Sequence, residues 1–291
     1  MTAGFLIVDK PRGITSSRIV DEVRKVTGIK KVGHAGTLDP MATGALVLAL
    51  GNVTRLIRFV QDQPKEYLAT AQFGVATDTL DADGAVLSRE PMNFEPDELM
   101  DVVPRFTGVI HQIPPMVSAL KKDGRRLYEL AREGQVIERD ARRVMVHELE
   151  ILQVGPGPYP EVEFRVVCGK GTYIRSLADD MAAVLGGSAH LTWLRRTRIG
   201  SLKAANGVPM ESLVDWPSYL LAPSDALVDL PAITVSPETL RGVRHGMRFV
   251  GGDILDGPEG EPYRVLDDSG SLAAIYRLDG DQARPEVVLP T

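Results

Sequence analysis

The sequence predicts an α+β fold built on a mixed, largely antiparallel sheet with flanking helices. Segments with strand-like alternation are joined by short turns, and single helical segments interrupt them without a regular strand–helix–strand repeat. The 291 residues are 44% apolar and 25% charged, which excludes a disordered or fibrous chain. This length predicts one large domain with a small appendage.

The individual elements follow from apolar periodicity and turn residues. We expect strands or buried elements at 5–9, 45–50, 67–73, 144–154 and 162–168, with a hairpin turn at Asp83-Gly84. We expect helices at 16–26, 97–106, 126–132 and 173–185; Ser16 or Ser17 caps the first helix and Gly28 ends it. Residues 30–43 and 112–125 are expected to be loops, 215–229 a linker, and 233–291 a small β-rich domain.

Basic side chains are clustered in a chain whose net charge is −6. Residues 1–60 carry nine basic and four acidic side chains, and residues 121–143 carry eight and five, whereas residues 201–291 carry seven and fourteen. An acidic chain argues mildly against a nucleic-acid partner, but phosphate contacts depend on local clusters. The basic segment 121–143 is therefore either an RNA contact or a solvated helix and loop.

Several classes of protein are excluded by missing motifs. Cys168 is the only cysteine, so no intrachain disulfide or cysteine-based zinc site can form, and a reducing compartment is expected. The five histidines form no HxxxH pair, and no GxGxxG follows a strand, so neither a metal nor a nicotinamide or flavin cofactor is expected. No segment reaches the about 18–20 apolar residues of a membrane span, so we expect a soluble cytoplasmic protein.

The first candidate for chemistry is Asp39 in the segment His34 to Gly44 (HAGTLDPMATG). Glycine and proline make this loop tight, and Leu38 and Met41 give the carboxylate apolar neighbours that exclude water. A carboxylate held in this way can be directed into a cleft. The alternative is an ordinary turn, because Asp-Pro is a common turn dipeptide.

The second candidate is Arg175 in the segment Cys168 to Arg175 (CGKGTYIR), where a strand, a glycine turn and a helix follow one another. A cation in the first helical turn is unfavourable to the helix dipole, so Arg175 should have a carboxylate or phosphate partner unless it is a surface arginine.

Tyr67 is a third candidate, although a strand tyrosine is more often part of the core. Residues 79–90 mimic a calcium loop, but Thr79 occupies the position where aspartate is required, so we expect a hairpin instead.

Six ordered sequence blocks resemble the TruB-type tRNA pseudouridine synthases, which modify uridine 55 in the TΨC loop. They are FLIVDKPRGITS at 5–16, HAGTLDPMATG at 34–44, YLATAQFGVATDTLDADG at 67–84, QIPPMVSALK at 112–121, CGKGTYIRSLADD at 168–180 and HLTWLRR at 190–196. The resemblance is close from residue 5 to about 200. It is weaker from 230 to 291, which is similar to a compact PUA-type RNA-binding domain.

The resemblance implies a catalytic domain at 1–229 with a central cleft, a thumb that grips RNA at about 114–143, and a PUA-like domain at 230–291. It implies cofactor-independent isomerisation of uridine to pseudouridine, with the TΨC stem-loop of tRNA as partner. We expect a monomer with no membrane association and no obligate protein partner.

The resemblance also assigns roles to individual residues. Asp39 is implied to be the nucleophile or to stabilise positive charge at C1′, Arg175 to pair with it, and Tyr67 to stack on the target base and move a proton. Tyr173 and Leu194 are implied to wall the pocket. His34 is implied to fill the gap left in the RNA by the extruded base, and Lys10 and the turn at 13–16 to support the active-site loop.

Other functions remain open at this stage. A guide-dependent RNA pseudouridine synthase shares these blocks, but the sequence lacks the basic extensions usual in such enzymes, so a stand-alone enzyme is expected. A non-catalytic tRNA-binding or tRNA-folding module would not need Asp39, Tyr67 and Arg175 together. A glycoside hydrolase would need a second well-framed carboxylate.

Overall fold

The computed structural model describes residues 3–118, 121–122, 125–126, 135, 137–255 and 257–290. The chain forms two compact units, each assembled from segments that are distant in sequence. The first unit is Met1–Asp39, Gly44–Gln63 and Arg198–Thr291, and the second is Pro40–Thr43 and Pro64–Thr197.

The described elements are numbered in chain order. The strands are β1 (Gly4–Lys10), β2 (Val32–His34), β3 (Thr43–Leu50), β4 (Lys65–Phe73), β5 (Val75–Thr77), β6 (Val86–Arg89), β7 (Gly108–Gln112), β8 (Lys121–Lys122), β9 (Arg125–Arg126), β10 (Arg142–Val154), β11 (Glu161–Cys168), β12 (Ala189–Ile199), β13 (Leu202–Lys203), β14 (Val208–Pro209), β15 (Ala232–Thr234), β16 (Phe249–Val250), β17 (Pro262–Leu266), β18 (Leu272–Asp279) and β19 (Gln282–Val288). The α-helices are α1 (Ser16–Thr27), α2 (Ile57–Gln61), α3 (Pro96–Val102), α4 (Ile174–Val184), α5 (Pro223–Ala226), α6 (Pro237–Arg244) and α7 (Gly251–Ile254). Short 3₁₀ helices lie at Gly51–Leu56, Val103–Phe106, Ala204–Asn206 and Met210–Tyr219.

The first unit contains a mixed arrangement of strands around β3. Strand β1 pairs antiparallel with β3 and parallel with β14, and β2 pairs antiparallel with β3. Seven of the eight residues of β3 are buried, as the continuous apolar run predicts for a strand covered on both faces. The register places Lys10, at the end of β1, opposite Gly44, at the start of β3.

The C-terminal residues of the first unit form their own sheet. Strand β15 pairs parallel with β17, and β17, β18, β19 and β16 follow as antiparallel neighbours. Apolar residues on one side of this sheet form a cluster with α6, while Leu272, Ile275 and Val287 join the cluster that contains Phe5 and Val47. The β-rich prediction for 233–291 is therefore confirmed, and part of this segment belongs to the core of the first unit.

The second unit is dominated by an antiparallel sheet in the order β4, β11, β10, β7, with β12 next to β4. Burial alternates residue by residue along β4, as the sequence pattern predicts for a strand with one covered face. Helix α4 follows β11 through the turn at 169–173, and its residues Leu177 and Met181 are fully buried.

The structure corrects several local predictions. Thr15, rather than Ser16 or Ser17, caps α1, because its side chain accepts a hydrogen bond from the Arg18 amide. The expected loop at 30–43 contains the short strand β2, and the expected linker at 215–229 contains 3₁₀ and α-helical turns. Strands β7, β8, β12, β13 and β14 were not predicted, and β8 lies within the expected loop at 112–125. In the helix predicted at 126–132, Arg126 belongs to β9 and residues 127–132 lie outside the described residues.

Among the described residues, no helix is both long and apolar enough to cross a membrane.

The adjacent carboxylates Asp179 and Asp180 on α4 predict a pH-dependent stability. Burial, followed by the charge of Asp179, raises the pKa of Asp180 from 3.8 to about 6. The folded chain therefore binds this proton more tightly than the unfolded chain, and stability falls as the pH rises through about 6. We expect Asp180→Asn to raise the free energy of unfolding at pH 7.5 by on the order of 1 kcal/mol, a figure reduced for partial exposure.

Urea unfolding at pH 7.5 and pH 4.5 measures this effect. The gain should be much smaller at the lower pH, because the wild-type carboxyl is then largely protonated in the folded chain. Asp101→Asn, at an exposed position in α3, is the matched control. An equal increase in the free energy of unfolding at both pH values would contradict the raised pKa of Asp180.

Candidate active site

The loop that carries Asp39 lies in the first unit and is fixed at several points of its backbone. The amide of Ala35 donates to Val47 O of β3 (2.8 Å), and the amide of Gly36 donates to His34 Nδ1 (3.3 Å). Gly36 has a φ of +132°, which favours glycine at this turn. Ala35 and Leu38 are buried, whereas Asp39 is half-buried. The two buried apolar residues anchor the loop, while the carboxylate of Asp39 stays partly accessible to solvent.

The hydroxyl of Ser16 holds this loop at the residue before Asp39. Ser16 Oγ accepts a hydrogen bond from Leu38 N (2.8 Å) and donates one to Leu38 O (3.0 Å). Ser16 is only 1% exposed, so both contacts are shielded from water. Both polar backbone groups of Leu38 are therefore satisfied by one side chain on α1.

Lys10 and His34 lie at the two ends of this region. Lys10 is completely buried, and its Nζ donates to Pro11 O (3.0 Å). Its position opposite Gly44 places it beside the strand into which the loop leads. His34 ends β2 and is half-buried, and its Nδ1 accepts the Gly36 amide, so the proton of a neutral ring is on Nε2.

Arg175 lies in the second unit, in the first turn of α4, and is 3% exposed. Its guanidinium donates to Thr79 O and to Val117 O, both at 2.7 Å, and forms an ion pair with Asp81 at 3.4 Å. The carboxylate of Asp81 is also buried. The sequence argument that a cation in this turn needs a carboxylate partner is therefore satisfied, and the planar guanidinium joins two loops to the helix.

Gln112 fixes the residue from which α4 starts. Its side-chain amide accepts a hydrogen bond from Tyr173 N (3.0 Å) and donates one to Tyr173 O (3.2 Å). Gln112 is 1% exposed and ends β7. The contact fixes the backbone of Tyr173, two residues before Arg175, because both polar groups of one residue are bound at once.

Tyr67 and Leu194 are buried residues of neighbouring strands. Tyr67 is 8% exposed on β4, opposite Val166 of β11, and Leu194 is 5% exposed on β12. The hydroxyl of Thr43 donates to Leu194 O (3.4 Å), which connects Leu194 to the end of the Pro40–Thr43 segment. This burial is consistent with the core role that a strand tyrosine usually has.

Cys168, at the end of β11, is unsuited to nucleophilic chemistry. Burial raises the pKa of its thiol to about 11, and a hydrogen bond with the Thr172 side chain opposes this shift only in part. The thiol is therefore protonated at neutral pH, and the thiolate is the reactive form. Among the residues that the structure describes, no group of three or more His, Cys, Asp and Glu side chains is arranged to hold a metal ion.

The predicted site residues fall into two sets. Asp39, His34 and Lys10 belong to the first unit; Tyr67, Tyr173, Arg175 and Leu194 belong to the second. The pairing of Arg175 with Asp39 stays a prediction. Sequence reasoning did not single out Asp81, Gln112 or Ser16 for these contacts. Asp81 and Gln112 lie in the blocks at 67–84 and 112–121 without an assigned role, and Ser16 was considered as the cap of the first helix.

Comparisons with protein families match most of the chain. The model of the N-terminal domain of TruB family pseudouridylate synthases matches residues 24–174. The model of the tRNA pseudouridylate synthase B C-terminal domain matches residues 175–228. The first match alone spans more than half of the chain and includes the Asp39 loop.

Curated proteins and solved structures agree with this match. The tRNA pseudouridine synthase B of Aromatoleum aromaticum is 46% identical over 283 residues, which cover 96% of this chain and 85% of that protein. The tRNA pseudouridine synthase B of Syntrophotalea carbinolica is 40% identical over 279 residues, covering 93% and 90%. A crystal structure of a Cbf5-Nop10-Gar1 complex contains a chain with a TM-score of 0.77 and 26% identity, covering 99% of this chain and 84% of that chain. The chain therefore belongs to the TruB family of pseudouridylate synthases.

Proposed function

We propose that the protein isomerises uridine to pseudouridine at position 55 in the TΨC loop of tRNA. The observation that carries this proposal is 40–46% identity, over nearly the whole chain, to proteins named tRNA pseudouridine synthase B. The half-buried carboxylate of Asp39, on a loop whose backbone is bound at Ala35, Gly36 and Leu38, supplies the chemical group that the reaction needs.

The reaction conserves the composition of the nucleotide. The bond between uracil N1 and ribose C1′ breaks, the base turns, and C5 forms a new bond to C1′. The proton on C5 is removed and N1 gains a proton, so no oxidant or reductant is consumed. The proposal requires no cofactor.

Asp39 has one of two roles in this scheme. Its carboxylate either adds covalently to the sugar or the base, or stabilises the positive charge that develops at C1′ when the N1 bond breaks. Both roles require an ionised oxygen held close to the ribose. A loop fixed through the buried Leu38 reduces the conformational freedom that would have to be lost when the RNA binds.

Arg175 and Tyr67 complete the proposed catalytic set. Arg175 pairs with Asp39 and orients it, while its contacts with Thr79, Val117 and Asp81 hold the guanidinium in place. Tyr67 stacks on the target base and lies near enough to the sugar to move a proton. Its position on β4, with hydrogen-bonded strands on both sides, makes it a rigid platform.

The target base must leave the stack of the RNA loop, which costs a few kcal/mol. Tyr173 and Leu194 wall the pocket that receives the base, and their apolar surfaces offset part of this cost.

His34 fills the gap in the RNA, and Lys10 supports the Asp39 loop from β1. The segment at about 114–143 grips the RNA as a thumb, and residues 230–291 act as a PUA-like RNA-binding domain beside the catalytic domain 1–229. We propose a monomer that acts in the cytoplasm without an obligate protein partner.

Incubation with an unmodified tRNA transcript, followed by chemical mapping of pseudouridine, tests the proposal. We expect one modified site, at position 55, in a reaction that contains only protein, transcript and buffer. A guide-dependent activity is the second candidate, favoured by the structural likeness to the chain in the Cbf5-Nop10-Gar1 complex. Modification that appears only when a guide RNA and further proteins are added would support that candidate instead.

Replacement of the Asp39 carboxylate should abolish the reaction and leave RNA binding largely intact. Asp39→Asn keeps the shape of the side chain and removes its charge, so we expect no detectable pseudouridine and a tRNA dissociation constant within about threefold of wild type. Single-turnover assays and filter binding measure the two quantities. Asp215→Asn, at an exposed position, is the control. Normal turnover by Asp39→Asn would refute the catalytic assignment.

Replacement of Arg175 by lysine should cost most of the activity although the charge is kept. The single ammonium group of lysine cannot make the contacts that the planar guanidinium makes with Thr79 O, Val117 O and Asp81. We therefore expect kcat to fall by about 10²-fold. Arg165→Lys is the control, because it removes a guanidinium that donates two hydrogen bonds to the exposed Glu148. It should leave kcat nearly unchanged. An Arg175→Lys enzyme with wild-type kcat would show that catalysis does not depend on the planar guanidinium of Arg175.

The exposed arginines in α6 and directly before β16 predict a tRNA contact by the C-terminal residues of the first unit. Arg241 and Arg248 make no ion pair with any described residue, whereas Arg284 is paired with Asp279. We expect the double variant Arg241→Gln/Arg248→Gln to weaken tRNA binding and to reduce the slope of log K against log salt by about two, with Arg284→Gln as control. Deletion of 230–291 would be a poor test, because Leu272, Ile275 and Val287 belong to the core of the first unit.

Titration of tRNA at several salt concentrations measures the affinity and the slope. An unchanged affinity and slope in the double variant would contradict an RNA-binding role for this surface.

A further inference from the structure

The side chain of Ser16 makes a contact that helix formation does not explain. Ser16 is the first residue of α1 and directly follows the N-cap position, which serine and threonine favour. Thr15 performs that function, since its hydroxyl accepts the Arg18 amide at 3.2 Å. The Ser16 hydroxyl instead binds the amide and the carbonyl of Leu38, which lies 22 residues further along the chain.

This double contact suits the capacity of a hydroxyl. A serine offers one donor and two acceptor lone pairs, and both functions are used here, at 3.0 and 2.8 Å. Because Ser16 is 1% exposed and Leu38 is 4% exposed, water cannot readily replace either bond. A buried amide or carbonyl that loses its partner must find another, and in a loop it does so by moving.

The contact is one peptide bond away from the proposed catalytic carboxylate. A shift or rotation of Leu38 changes the direction in which the next residue, Asp39, leaves the backbone. The other hydrogen bonds of this loop noted above, at Ala35 and Gly36, lie nearer its start. Ser16 therefore binds the backbone of the residue directly before Asp39.

We propose that Ser16 is a positioning residue, whose hydroxyl fixes the backbone of Leu38 and thereby directs the carboxylate of Asp39 toward the target ribose. This inference rests on the proposed function. Ser16 itself touches no reacting atom. Its contribution is to hold the geometry of the loop before the RNA arrives, which accelerates the chemical step and adds little to RNA affinity.

Ser16→Ala tests this role, with Ser17→Ala as the matched control. Ser17 is the next residue of the same helical turn, and it is exposed. We expect Ser16→Ala to lower single-turnover kcat by about 10²-fold while the tRNA dissociation constant stays within about threefold of wild type. Ser16→Thr retains the hydroxyl and should recover most of the rate. Ser17→Ala should be indistinguishable from wild type.

Two results would overturn the inference. The first is a Ser16→Ala enzyme with wild-type kcat. The second is an equal loss of rate in Ser16→Ala and Ser16→Thr, which would indicate a general packing requirement. If Ser16→Ala is unfolded at the assay temperature, Ser16→Cys replaces it, because a thiol keeps the approximate size and forms weaker hydrogen bonds; wild-type kcat in that variant would also overturn the inference.

Hydrogen exchange of the Leu38 amide separates this inference from the proposed function. We expect the amide to be protected in the wild-type protein and to exchange at least about tenfold faster in Ser16→Ala, with no change in Ser17→Ala. If the wild-type protein forms no pseudouridine in tRNA, the proposed function fails, and the exchange data still decide whether Ser16 fixes the loop. An unprotected Leu38 amide in the wild type would refute the fixation itself.

Discussion

The chemistry proposed for this protein depends on one constraint: a carboxylate has to keep a fixed direction while a nucleotide moves toward it. The loop at 34–39 meets this constraint through its backbone. Its apolar residues Ala35 and Leu38 are buried, and its polar backbone groups are bound by β3, by His34 and by the hydroxyl of Ser16. Asp39 follows directly after these anchored positions and is only half-buried.

The second unit uses the same physical device at Tyr173. There the amide of Gln112 binds both polar groups of Tyr173, as the hydroxyl of Ser16 binds both polar groups of Leu38. In each case one buried polar side chain binds both the amide and the carbonyl of a residue that lies outside the regular strands and helices. Such contacts restrict the movement of an irregular segment, and preorganised groups need little rearrangement during the reaction.

The strands with a uniform burial pattern were the most predictable part of the fold. Strand β4 alternates along its whole length and β3 is apolar throughout, so their positions follow from the sequence. Strand β12 was missed because two adjacent arginines interrupt its apolar pattern, and one of them, Arg196, is nevertheless 1% exposed. The cap of α1 was assigned to the wrong residue because three hydroxyl side chains follow one another at 15–17, and only the backbone geometry selects Thr15.

The site was predictable to different degrees for different residues. Glycine, proline and apolar neighbours identified the Asp39 loop, and dipole arguments identified Arg175 as a cation that needs a partner. The resemblance to the family supplied their roles. The contacts of Ser16 and Gln112 could not be derived, because they join residues 22 and 61 positions apart, and no local periodicity encodes such pairs.

The structure of the Asp39→Asn variant bound to an unmodified TΨC stem-loop tests the central claim most directly. The account predicts that uridine 55 lies outside the stack of the loop with its base against Tyr67. It also predicts that the side chain of residue 39 lies within about 3.5 Å of the ribose C1′, the distance of a near-attack geometry. A target uridine still stacked within the RNA, or a ribose far from residue 39 while the uridine 55 base occupies its site, would contradict the account.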